Sequence, residues 1–300
     1  MPNINSVRVD KLLGNLSAKY RNADFIADKI FPMVPVKKNS DVYRIYERNF
    51  RVPETNRAIG AESKLHDFNV STGSYVLEKH GLKDFIADDL KDNYDVGDLN
   101  ADTVEELTDS ILRRLEVSTL SLFTETSWSQ NTSLTAALGW EVNTITSNPI
   151  LPVDTATSQV LLNSGQKANV GLMPHNALEV TKNHQSILDR VKHTSAEVTE
   201  KMLASLFGLD DLMISRAGRD TGAEGATVAV SYIMGGNFWC GHRARPSLKS
   251  QGAGFIFRKN MPLVKRWREE SRESDAIEVN MQYQAKIVSS LSGYLIKNII

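Results

Sequence analysis

Cysteine is nearly absent from this sequence: Cys240 stands alone among 300 residues. One thiol excludes an internal disulfide framework and fits a reducing compartment, with the side chain acting as a small buried apolar group. Long apolar runs are missing too. No stretch approaches the roughly 20 residues of a membrane span, and the opening MPNINSVRVDKLLGN lacks the apolar core of a signal peptide. Neither sign of charge dominates: 35 Lys and Arg face 36 Asp and Glu, a formal net charge of −1. The molecule as a whole is therefore not an electrostatic nucleic-acid binder. Internal repeats and low-complexity tracts are absent. So are the GxSxG, HExxH, CxxC and GxGxxG signatures.

The residues that invite a chemical reading do not combine. The histidines at 66, 80, 175, 184, 193 and 242 are scattered, and His175 and His184 have no paired Cys or Asp to make a triad. His80 and Asp84 sit four apart, as two metal ligands on a helix would, but Gly81 weakens that helix and no third ligand is near. Ala217–Ala226 (AGRDTGAEGA) is glycine-rich but lacks the GxxxxGK[ST] ending of a phosphate cradle, and reads as an exposed loop. No catalytic, cofactor-binding or metal residue is assigned, no cofactor is called for, and the chain is not read as an enzyme.

What is present is a patterned chain, 41% hydrophobic and 24% charged, enough for one large domain or two smaller ones. Residues 100–126 carry Val104, Leu107, Ile111, Leu115 and Leu122 at helical spacing, without Gly or Pro. Asn100 or Asp102 is the expected N-cap, with Glu105 completing a capping box. Such a helix spans about 40 Å. Before it, residues 1–40 read as an arm. Helical patches at Leu12, Leu13 and Leu16 and at Phe25, Ile26 and Ile30 precede the extended Phe31-Pro32-Met33-Val34-Pro35-Val36. That apolar segment must bury itself on its own domain or on another subunit. Val42–Val52 and Leu65–Leu77 read as two strands of a long hairpin around a polar loop. A two-stranded ribbon is marginal alone in water, so it needs a surface to lie on. Residues 78–97 read as a charged turn with one or two helical turns at Phe85, Ile86 and Leu90.

Beyond the long helix, Trp128 and Trp140 are expected as packing anchors. Pro149 and Pro152 mark irregular backbone, and Asp154 or Thr155 should cap a helix that stops at Gly165. Residues 169–214 alternate strand, helix, helix and strand, an α/β unit with its own core. Residues 243–272 are locally basic, while the long helix and its approach are acidic, which points to contacts within or between subunits. Ala276–Val288 and Gly293–Ile300 read as closing strands.

This order of elements resembles the major capsid proteins of tailed double-stranded-DNA bacteriophages, the Hong Kong 97-type capsid fold. Ala27-Asp28-Lys29-Ile30-Phe31-Pro32 is similar to the arm of one large capsid family, and Leu112-Arg113-Arg114-Leu115-Glu116 to the centre of its spine helix. Pro174-His175-Asn176-Ala177-Leu178 and Asn183–Arg190 resemble the start of its axial domain. Ala204–Leu209 is similar to the next helix, and Gly293-Tyr294-Leu295-Ile296 to its closing strand.

The resemblance implies an α+β fold. It places an N-terminal arm at 1–40, an extended hairpin loop at 41–80, a peripheral domain at 81–165 and 256–300, and an α/β axial domain at 166–255. It also implies that arm and ribbon lie on neighbouring copies, so that removing residues 1–36 or 52–63 would leave a foldable subunit. The function implied is a structural subunit assembling as pentamers and hexamers into an icosahedral head in the host bacterial cytoplasm. Its partners would be other copies of itself, non-specifically contacted double-stranded DNA, and separate scaffolding, portal or decoration proteins. The chain starts at the arm without a long helical pro-segment, so a scaffold is expected to be a separate protein, and no cross-linking residues are assigned. The alternatives are an encapsulin-like nanocompartment shell and a soluble α/β enzyme built on residues 155–260.

Overall fold

The computed structural model describes residues 8–9, 25–46, 54–60, 62–63, 70–94, 98–123, 128–142, 144, 147–192, 198–222, 227, 229–247 and 250–300. The patches at Leu12, Leu13 and Leu16 and the outer parts of both ribbon strands lie outside the described residues. The described elements are, in order, β1 (Arg8–Val9), α1 (Ala27–Ile30), β2 (Met33–Pro35), β3 (Ser40–Tyr46), β4 (Val70–Val76), β5 (Glu78–Ala87), α2 (Asp88–Asp92), α3 (Leu99–Ser121) and β6 (Asn131–Ser133). Then come α4 (Ile150–Ser164), β7 (Val170–Pro174), α5 (His175–Lys182), α6 (Gln185–Val191), α7 (Glu200–Leu206), β8 (Asp211–Ser215), β9 (Gly218–Asp220), β10 (Val230–Tyr232), β11 (Phe238–Gly241), β12 (Gly254–Glu269), β13 (Ser274–Ile287) and β14 (Gly293–Lys297).

Two sheets organise the body. The first has the order β1-β12-β13-β5, with β2 running parallel to β12. Strand β13 alternates, so that Ile277, Val279, Met281 and Tyr283 share one face; they are buried in the core that also holds Val104, Ile111 and Leu115 of α3. Its partner β12 lies inside the basic stretch, where Arg258, Lys259, Lys265, Arg266 and Arg268 mask the strand pattern. Pro262 falls where the β12–β13 register shifts between Lys259 and Leu263, the kind of irregularity where a strand proline is tolerated.

Residues 78–87 correct the expected charged turn: they form β5, paired with β13 from Glu78 to Ala87. Only Leu90 falls in a helix, the short α2. The charges that read as a turn are those of a sheet edge, where Lys79 and Lys83 stand exposed. Helix α3 begins at Leu99 and ends at Ser121, about 35 Å at 1.5 Å per residue. Its cap is Asp98, whose carboxylate accepts the Asn100 N–H at 3.0 Å, so neither Asn100 nor Asp102 is the cap.

The second sheet has the order β6-β14-β11-β7-β8. Parallel β7 and β8 are joined by a crossover carrying α5, α6 and α7, the expected α/β unit. The closing strand β14 pairs with β11 and β6 in this sheet. Helix α4 also packs on β14 and β11. It starts at Ile150, ahead of the expected caps Asp154 and Thr155, because Asn148 Oδ1 accepts the Ile150 N–H at 3.1 Å. Pro152 sits in the first turn, where its missing N–H costs no hydrogen bond. The helix stops at Gly165, with φ 65°.

The second sheet separates two cores, and the strand period of two assigns neighbours in sequence to opposite sides. Trp239, Leu172 and Leu295 face the core shared with α3 and the first sheet. Phe238, Cys240 and Ile296 face the core under α4, α5 and α7. Trp128 and Trp140 are fully buried, one in each core. A Cβ on Gly293 would lie 2.5 Å from the Trp128 ring and 2.6 Å from Trp239 Nε1, so the indoles fit only against glycine. No described helix is long and apolar enough to cross a membrane.

Trp239 thus joins the long helix to the second sheet. Trp239→Ala is expected to lower unfolding free energy by about 3–5 kcal/mol, read as a reduced urea midpoint; a change below about 1 kcal/mol would show that this ring does not hold the two units together.

Candidate functional site

The arm and the ribbon are the segments for which the sequence demanded an outside surface. The arm enters at α1, four residues long and too short to be stable alone. Glu116 of α3 anchors it. The carboxylate is fully buried. Its Oε1 and Oε2 accept the Ile26 N–H at 3.2 and 3.1 Å, and Oε2 accepts the Ala27 N–H at 2.8 Å. Two backbone donors at the start of a helix are thereby satisfied by a residue about 90 positions away. Burial pushes the Glu116 pKa up to about 7, against the pull of the Ala27 and Ile26 N–H groups.

Phe31 follows into an aromatic nest, 5.2 Å from the Phe123 ring and 6.4 Å from Trp239. Trp128 stands 5.2 Å from Trp239 and closes the cluster. Phe31 lies across Gly254, where an added Cβ would approach the ring to 2.4 Å. Arg243 ties the same segment to the second sheet, donating to Lys29 O at 2.8 Å and to Asp211 Oδ2 at 2.8 Å. Beyond Pro32 the chain runs as β2 beside Ile256–Arg258. Val34 and Val36 join a third core with Tyr43, Tyr75, Phe255 and Phe257.

The arm from Ile26 to Val36 is therefore covered by its own chain. The expectation that it borrows burial from another copy is overturned for these residues. Removing residues 1–36 would strip Ile26, Ile30, Phe31 and Val34 from the subunit's own cores. Cover for this segment comes not from its neighbours in sequence but from α3, β11 and β12.

The ribbon divides. At its base Tyr75 stacks on Phe257, with centroids 4.8 Å apart and 15° between planes, and Tyr43 packs 5.3 Å from the same ring. Val76 N–H donates to Gln284 Oε1 at 2.9 Å. On the outward side Val42 is 61% exposed, and residues 54–60 of the connecting loop are exposed throughout, with Ile59 fully so. Among the described residues of the ribbon, the loop and the outward sides of β3 and β4, with Thr72, Ser74 and Val76, are left open by the subunit's own body.

No family model matches the chain. The chain is 22% identical to the major capsid protein of Burkholderia phage BcepMu over 301 residues, covering 97% of this chain and 96% of that protein. It is 26% identical to the major capsid protein of Pseudomonas phage JBD67 over 221 residues, covering 70% and 69%. Among solved structures, a phage-related protein from Bordetella bronchiseptica matches with a TM-score of 0.78 at 23% identity over 97% of both chains. The capsid of cyanophage P-SCSP1u matches with a TM-score of 0.65 at 9% identity, covering 93% and 89%. A virus-like particle from Pyrococcus furiosus matches with 0.59 at 9% identity, covering 95% and 96%. The chain has the Hong Kong 97-type capsid fold. Its curated relatives are structural capsid proteins, not enzymes.

In this capsid fold the scattered histidines have structural places. His80 lies on β5 and stacks on Tyr283 at 4.2 Å, and burial lowers its pKa. His184 caps α6, accepting the Ser186 N–H at 3.2 Å, with Ser147 Oγ 3.0 Å from its other ring nitrogen. His242 Nδ1 meets Lys167 O at 2.9 Å, and His175 sets its ring edge-on to Tyr232. His66 and His193 lie outside the described residues. Asp84 shares β5 with His80 but joins it in no metal cluster among the described residues. Burial pushes the Cys240 thiol up to about 12, which keeps it unreactive.

The basic stretch finds acids within the subunit, Asp88 and Asp275, rather than those of the long helix and its approach. Arg268 holds both oxygens of Asp88, and Arg266 and Lys91 converge on Asp275. The Arg268 guanidinium holds Asp88 below the usual carboxylate range.

Sequence reading missed the role of Glu116. The signal was there: Leu112, Glu116 and Leu120 fall at i, i+4 and i+8, a carboxylate in the middle of an apolar row. Gly254→Ala is expected to push Phe31 aside, costing about 1–3 kcal/mol, and to speed proteolysis within residues 25–36. Unchanged proteolysis would show that the nest does not hold the arm.

Proposed function

We propose that this chain is the major capsid protein of a tailed phage, a structural subunit whose copies close into an icosahedral head. The carrying observation is agreement along almost the whole chain, since 97% of it aligns with a phage major capsid protein. The exposed loop of the ribbon, with Ile59 in open solvent, supplies an apolar contact that a neighbouring copy would cover. Each such contact recurs by symmetry. Weak contacts suffice, because closure of the ring makes the later ones effectively intramolecular.

In this reading α3 and the first sheet form the peripheral part. Residues 166–255, with β7, β8, β11 and α5 to α7, form the axial part of pentamers and hexamers, and the head is built in the host bacterial cytoplasm. Packaged DNA is met through phosphates without sequence preference. Scaffolding, portal and decoration proteins are separate partners. The fold is shared with the Pyrococcus furiosus particle, so a nanocompartment shell is the rival reading, and nuclease-protected DNA inside purified particles separates the two.

Deleting residues 55–60 is expected to leave the unfolding free energy within about 0.5 kcal/mol, as for other exposed sites, and to abolish closed shells in electron micrographs. Wild-type protein should scatter as capsomers or megadalton shells. A wild-type species of 33.4 kDa under all assembly conditions, or normal shells from the deletion variant, would contradict the proposal.

A further inference from the structure

We propose that Glu116 makes the docking of α1 on α3 a proton-dependent latch, closed when the carboxyl is neutral and weakened when it is charged. The latch stands on the packing around Glu116 and is independent of the assembly reading. Three observations carry it.

The first is burial without a counter-ion among the described residues. Glu116 has no exposed surface, and its partners among the described residues are the backbone N–H groups of Ile26 and Ala27. The charged side chains that act on it are Asp28 and Lys29 of α1, which oppose one another. The elements of the first sheet that pack on α3 bring no charge to bear on it: Glu78 and His80 of β5 and Arg114 of α3 are directed to the Tyr283 region instead. A buried carboxylate in this position loses its hydration and, among the described residues, gains two donors and the start of a four-residue helix.

The second is position. The carboxylate sits at the contact of α1 with α3, so undocking α1 returns it to water. The third is the short span of helix at stake. Within α1 the Lys29 and Ile30 N–H groups donate to Ile26 O and the Phe31 N–H to Ala27 O, a set too small to persist once its anchor is gone.

The sign follows from linkage. Docked Glu116 titrates at about 7, raised chiefly by burial from the ordinary 4.5 that it regains on exposure to water. Between those values the docked arm holds a proton that the undocked arm has released. Docking is therefore strongest below about pH 4.5, weakens as pH rises, and levels off above about pH 7.

The test is hydrogen–deuterium exchange of the full-length protein at pH 5 and pH 7.5, following peptides within residues 25–36, with rates corrected for the intrinsic pH effect. Protection in the wild type should fall at least tenfold between the two, since each unit of pH in the window changes the docking constant up to about tenfold. Glu116→Gln, which cannot ionise, should remove most of that fall, and peptides from β13 should not move in either protein. Wild-type protection that is flat or rises with pH overturns the latch whatever the variant does. So does a pH-dependent fall of equal size in Glu116→Gln.

Discussion

A single buried carboxylate decides how the front of this chain meets the rest. Helix α1 is one turn long and has no stability of its own. Glu116 supplies acceptors for its first donors, and Phe31 then drops into the nest of Phe123, Trp128 and Trp239. Once that turn is fixed, β2 is delivered to the edge of β12, and Val34 and Val36 reach the core under the ribbon. The base of the ribbon is set by the same chain of contacts, because Tyr43 and Tyr75 pack on Phe257 of that same strand. Arm, β2 and the base of the ribbon are thus held by one connected set of contacts.

Much of this was legible in the sequence where the period was undisturbed. The apolar spacing around Val104, Ile111 and Leu115 gave the long helix, and the alternation of Val279, Met281 and Tyr283 gave the inner face of β13. Gly165 marked a helix end that the backbone confirms. Legibility failed where charge and burial coincide. Strands β5 and β12 carry lysines and arginines on their open sides, so their alternation was hidden, and residues 78–87 passed for a turn. It failed again where cover comes from afar: nothing near Phe31 in sequence foretells Phe123, Trp239 or Gly254. Glu116 was visible only as a charge out of place on an apolar row. Local pattern gave the closing strand its strand character but not its partners β11 and β6.

The division between covered and open surface fits a subunit that must fold before it assembles. Residues 25–36 complete the subunit's own cores, so the monomer is whole without them being lent out. The loop at 54–60 and the outer side of β3 have no such role and are free to be covered by another copy. Folding stability then rests on the aromatic nest and the three cores, while in the proposed shell assembly rests on contacts whose loss leaves the subunit intact. A shell built this way can adjust its contacts without unfolding its parts.

The most direct measurement is a cryo-electron-microscopy map of assembled particles, read at the arm. Expected is continuous density placing residues 25–36 on α3 and β12 of their own subunit, with the Glu116 carboxylate against the Ile26 and Ala27 nitrogens of the same chain. Density that carries this segment across to the long helix of a neighbouring copy would contradict it.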